Sequence, residues 1–96
     1  ATQGWDRRPW EAKNGEGLGK GSAVSPHFAR GTPEELEHYM RQMAEWMDAN
    51  PDRTTTDRLG LIYAWNEIGE GGWLVPCKDD PNGVFLKAIR RAVFGR

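Results

Sequence analysis

The run Leu59-Gly60-Leu61-Ile62-Tyr63-Ala64-Trp65 constrains the fold more than any other part of this chain. Nearly every residue in it is apolar, and the strict polar/apolar alternation of a half-buried strand is missing. A strand covered on both faces, as in a parallel sheet, gives that pattern. The run therefore predicts a short buried strand over 59–65, with a polar, Glu-rich and Gly-rich segment directly after its carboxyl end.

Helices are expected on both sides of the run. Thr32-Pro33-Glu34-Glu35 is a helix start: Thr32 caps, Pro33 suits the first helical position, and Glu35 completes a capping box. Leu36, Met40, Met43 and Met47 then recur at helical spacing, with Tyr39 and Trp46 on the flanks. That spacing assigns the methionines to a core stripe. Glu34/His38, Glu37/Arg41 and Arg41/Glu45 fall at i,i+4 on the other face. The helix should stop near Ala49, ahead of Asn50-Pro51. Asp79-Asp80-Pro81-Asn82-Gly83 reads as a turn or cap. A final amphipathic helix follows, with Phe85, Ala88, Ile89, Ala92 and Val93 inward and Arg90, Arg91 and Arg96 toward its C-terminus.

Residues 1–31 are different. Ala1 to Asp6 reads as the end of a short strand entering a loop. Asn14 to Ser22 alternates glycine (Gly15, Gly17, Gly19, Gly21) with other residues and cannot bury a core. The order is loop with a possible short initial strand, helix, strand, loop, helix. That is the rhythm of an α/β protein. A complete (β/α) barrel takes about 250 residues; 96 residues make one small domain of about two βα units. The expected fold class is α/β, a partial (β/α) barrel fragment with a long Gly-rich N-terminal loop. Residues 32–96 carry the helix-strand-loop-helix part. Two such units leave sheet edges open, which predicts homo-oligomerisation.

Several function classes lose support here. The formal net charge of −1 gives no reason to expect nucleic acid or an anionic membrane as a partner. No apolar run approaches the ~20 residues of a membrane span. Cys77 is the single cysteine, so no disulfide forms within the chain. His27 and His38 lie eleven residues apart, match no metal-ligand spacing and read as solvated. Gly17-Leu18-Gly19-Lys20-Gly21 fits neither glycine-rich nucleotide motif. No metal and no cofactor is expected.

What remains is the segment after the apolar run, Trp65-Asn66-Glu67-Ile68-Gly69-Glu70-Gly71-Gly72-Trp73. It combines two carboxylates three residues apart, a carboxamide, three glycines and two indoles. Glycoside cleavage uses paired carboxylates, and pyranose rings stack on indole faces. Glu67 and Glu70 are the candidate catalytic pair. Their spacing permits both the retaining separation of about 5–5.5 Å and the inverting one of about 6.5–9.5 Å. Asn66 is placed to donate to a sugar hydroxyl. Trp73, among glycines and loop, is the stronger stacking candidate, while a Trp at the end of an apolar run, as Trp65 is, is more often core. Trp5 sits in a polar context that offers little core, and Asp6 and Arg8 can either bind hydroxyls or pair with each other.

Trp65-Asn66-Glu67-x-x-Glu70-Gly71, preceded by Ile62-Tyr63-Ala64 and followed by Trp73-Leu74-x-Pro76, resembles the C-terminal signature of barrel proteins related to glycoside hydrolase family 99. Gly4-Trp5-Asp6-x-Arg8-Pro9 resembles an upstream strand end of the same group. The two segments stand in the right order with a helix between them. They span nearly the whole chain but only about the last third of that barrel. Ile68 stands where the family usually has an aromatic, and Cys77 where Thr or an acidic residue is commoner. The resemblance implies a glycoside hydrolase acting on a glycan through Glu67 and Glu70, with Trp73, Asn66, Trp65, Trp5, Asp6 and Arg8 around the substrate. A non-catalytic carbohydrate-binding module and an inactive barrel fragment are the alternatives.

Overall fold

The computed structural model describes residues 4–6 and 27–95. The Gly-rich run, Arg8 and Trp10 lie outside them. Helix α1, Pro33–Ala49, starts as the capping pattern predicts. Thr32 Oγ1 accepts from the Glu35 amide at 3.1 Å, and a Glu35 carboxylate oxygen accepts from the Thr32 amide at 2.8 Å. Two of the amides that a helix start leaves unpaired are thereby satisfied. The helix ends at Ala49, where Asn50 takes a non-helical conformation and Pro51–Arg53 forms a single 3₁₀ turn.

Helix α2, Val84–Phe94, is held from below by Asp80. This carboxylate is only 4% exposed. Its Oδ1 accepts from the Val84 amide at 3.0 Å and its Oδ2 from the Phe85 amide at 3.4 Å. A buried carboxylate is tolerable because its oxygens face the amide-rich end of a helix. Gly83, at φ 61, makes the reversal between turn and helix. Of the expected inward residues, Phe85, Ala88 and Ala92 are buried, Ile89 is partly buried, and Val93 is exposed.

The strand over 59–65 does not form. The sheet is a two-residue antiparallel hairpin, β1 (Asn66–Glu67) against β2 (Gly72–Trp73), with Asn66 opposite Trp73 and Glu67 opposite Gly72. A ladder needs a partner, and among the described residues no strand pairs with 59–65. The run lies instead one-sidedly over α1: a Cβ on Gly60 would strike Met43, and Ile62 packs on the core. Leu59 and Leu61 are 68% and 82% exposed, and Tyr63 and Trp65 also face outward. Left-handed backbone at Arg58 (φ 53) and Ala64 (φ 56) brackets the run. The pattern that reads as burial on two faces is thus burial on one.

The core lies between the two helices and the hairpin. Leu36 and Met40 of α1, Phe85 and Ala92 of α2, and Trp73 and Leu74 meet there, with Leu74 fully buried. Across the helices, Glu37 joins Arg41 at 2.9 Å and Arg91 at 2.6 Å. These two hydrogen bonds, Arg91's first, hold the Glu37 carboxyl below the ordinary glutamate range. At the coarse level the fold is a small mixture of helix and strand.

Candidate functional site

The candidate site is built on the hairpin. Glu67 closes β1, Ile68–Glu70 makes a 3₁₀ turn, and Gly71 (φ 67, ψ 7) turns the chain back into β2. Only a glycine enters that left-handed conformation without strain. Glu67 stands at the entry of the 3₁₀ turn and Glu70 at its end. Gly72 is needed for a different reason. A Cβ there would lie 2.8 Å from the Ala64 Cβ and 3.3 Å from a Tyr63 ring carbon. Glycine thus lets the end of the apolar run lie against β2.

Tyr63 contacts one of the two carboxylates. Its hydroxyl donates to Glu70 Oε2 at 3.1 Å. Partial burial, then the hydrogen bond to Glu70, then the charges of Glu70 and Glu67 raise the phenol above the ordinary tyrosine value. The same phenol therefore senses both candidate catalytic groups. Sequence reasoning did not find it. Tyr63 precedes Glu70 by seven residues, and only the 3₁₀ turn and the backbone bend at Ala64 bring them together.

The N-terminal motif meets the same turn. The Asp6 amide donates to the Glu70 carbonyl at 2.5 Å, and a Cβ on Gly71 would contact the Asp6 Cβ at 3.4 Å. Trp5 pairs with Phe28 as an antiparallel bridge, the Phe28 amide donating to the Trp5 carbonyl at 2.9 Å. Their rings stand 6.3 Å apart and tilted. Trp5, Asp6, His27, Phe28, Arg30 and Gly71 border a cleft of about 310 Å³ beside the turn. His27, Phe28 and Arg30 carry no sequence pattern that marks them for this place. Arg8, the remaining member of the expected set, lies outside the described residues.

The two hairpin indoles exchange their expected places. Trp73 is 5% exposed and belongs to the core, so it presents no stacking face. The Arg30 guanidinium lies 3.2 Å over its ring and donates to its carbonyl at 3.2 Å, and Phe85 meets it edge-on at 5.7 Å. Burial against these rings pulls Arg30 below the ordinary arginine value, opposed by Cys77, Asp80 and Asp79. Trp65 is 52% exposed. Its carbonyl accepts from the Leu74 amide at 2.9 Å, which fixes the backbone while leaving the indole at the surface. Asn66 and Glu67 are exposed beside it, and Glu70 is half-buried.

Among the described residues no three His, Cys, Asp or Glu side chains cluster as metal ligands, and no helix is long and apolar enough to cross a membrane. No family model, curated protein or solved structure matches the chain.

Proposed function

We propose that this chain is part of a glycoside hydrolase related to family 99, cleaving O-glycosidic bonds in a glycan with Glu67 and Glu70 as the carboxylate pair. The observation that carries the reading is the Asp6 amide to Glu70 carbonyl bond. Two segments that resemble one family's site, 64 positions apart in the chain, meet at one turn (70 − 6 = 64). The raised Tyr63 phenol, sensing both carboxylates, is a second support. Substrate contacts come from Trp65, Asn66, Asp6 and the cleft beside Trp5, with Trp73 supporting the turn from beneath.

In this proposal the apolar run Leu59 to Trp65, which pairs with no strand among the described residues, is covered by chain from outside them, a second copy included. Its exposed odd-numbered residues are the face such a neighbour would cover. A strictly monomeric, well-folded chain in sedimentation velocity would count against association of copies.

The test of function is turnover of a panel of aryl glycosides and polysaccharides by the wild-type chain, Glu67→Gln and Glu70→Gln. Loss of an acid/base carboxylate should lower kcat by about 100-fold or more in each variant. Unchanged turnover in both sinks the assignment. Calorimetric glycan binding without turnover would make the chain a carbohydrate-binding module.

A further inference from the structure

The hydroxyl of Tyr63 occupies one oxygen of Glu70 and leaves the other open. Oε2 accepts from the phenol at 3.1 Å. Oε1 has no hydrogen-bond or ion-pair partner among the described residues. We infer that Tyr63 is a positioning residue that makes Oε1 the working atom of Glu70. This rests on the reading of Glu70 as one of the two acting carboxylates, and holds whether Glu70 gives or takes a proton.

A carboxyl on a glutamate turns freely about its last torsion, which is broad and two-fold, so either oxygen can face a substrate. A phenol donating to Oε2 removes that freedom. A tyrosine hydroxyl has one proton to give. When Glu70 itself carries a proton, the donated bond to Oε2 places that proton on Oε1. Tyr63 itself is anchored. Its ring lies against Gly72, where even a single added carbon would come within 3.3 Å, and the left-handed Ala64 follows it. The donor is therefore fixed by backbone that the hairpin itself sets. Partial burial and the two nearby carboxylates keep the phenol protonated beyond the ordinary tyrosine range, so it remains a donor through neutral and mildly alkaline pH.

Glu67 offers a contrast. Its side chain is exposed and has no hydrogen bond or ion pair among the described residues. The carboxylate pair is thus asymmetric, one member oriented by a neighbour and the other free to follow the ligand.

The test uses the chain in three forms: wild type, Tyr63→Phe, and a form with 3-fluorotyrosine in place of Tyr63. Tyr63→Phe keeps the ring against Gly72 and removes only the donor. It should fold with an unchanged thermal midpoint, hold KM within about twofold, and lose about 10-fold to 100-fold in kcat, the scale of a misplaced reacting group. Fluorotyrosine keeps the shape and the donor but ionises more readily. It should retain wild-type kcat at neutral pH and lose it at lower alkaline pH than the wild type does. Absorbance titration in a Tyr39→Phe background isolates the Tyr63 phenol, since the chain has two tyrosines. Adding Glu70→Gln should return that phenol toward its ordinary value.

Unchanged kcat in Tyr63→Phe overturns the inference and leaves the proposed function standing. So does a kcat loss matched by an equal KM rise. If Tyr63→Phe fails to fold, the fluorotyrosine profile decides, and an unmoved alkaline limb overturns the inference. A wild-type chain with no turnover on any glycoside overturns the proposed function and this inference together.

Discussion

The helical half and the hairpin half of this molecule satisfy their backbone and side chains in opposite ways. In the helices the backbone ends are met within a few residues, Thr32 and Glu35 capping α1 and Asp80 capping α2, and the charge of Glu37 is met inside the helix pair by Arg41 and Arg91. In the stretch from Arg58 to Trp73 the needs are met at long range or left open. Arg30 reaches Trp73 from 43 residues away, Asp6 reaches Glu70, and Leu59 and Leu61 stay exposed. The first half closes its own ends, and the second leaves apolar surface open. That division is the one expected when stability sits in a scaffold and function in the segments it carries.

Trp73→Ala is the strongest way to break the division, because this hairpin residue belongs energetically to the helical half. Truncating a buried Trp costs about 3–5 kcal/mol. For a chain this small that approaches the whole stability. Loss of the cooperative thermal transition by circular dichroism is expected. A well-folded Trp73→Ala variant would show that the hairpin is an appendage rather than a wall of the core.

Asp80→Ala tests the helical half from its own side. It removes both acceptors for the first amides of α2, worth about 1–2 kcal/mol for a cap. The chemical-denaturation midpoint should fall while any turnover per folded molecule stays unchanged. A drop in turnover would tie the cap to the site and blur the comparison.

The caps were legible in the sequence because a cap is a local event: Thr32-x-x-Glu35 and Asp80 to Phe85 hold donor and acceptor within five residues. The strand was not legible for the opposite reason. Whether Leu59 to Trp65 forms a ladder depends on a neighbour, and the run's composition reports only that apolar surface exists, not which faces are covered. The two indoles were misplaced on the same ground. Glycines around Trp73 suggest loop, yet Gly72 is small so that Ala64 and Tyr63 can close over β2. The site itself was half legible. Glu67, Glu70, Trp5 and Asp6 stood out by type and spacing. Tyr63, His27 and Phe28 come to the turn only through the fold.

Glu37 gives the comparison a dependence on pH. Hydrogen bonds from Arg91 and Arg41 hold its folded carboxyl below the ordinary glutamate value. A carboxyl depressed in the folded state contributes stability that is present above the unfolded value and lost as pH falls through the folded one. Glu37→Gln should therefore shrink the fall in thermal midpoint between neutral and acid pH. An equal fall in the variant would assign acid lability to other carboxylates. The effect is modest, because such partly exposed pairs are screened by solvent.

Trp65→Ala is expected to move stability least and to separate the two halves best. A half-exposed indole whose backbone carbonyl alone is engaged contributes little to folding, so the change should stay within about 0.5 kcal/mol. Its open face next to Asn66 and Glu67 is the stacking surface in the proposed site. Removing it should weaken binding of the preferred glycan by at least about 1 kcal/mol, roughly fivefold in Kd by calorimetry. Trp73 and Trp65 then differ in opposite directions, one in folding and one in binding. If Trp65→Ala instead unfolds the chain and leaves affinity unchanged, its indole serves the core, and the exposed face of the hairpin loses its claim to the ligand.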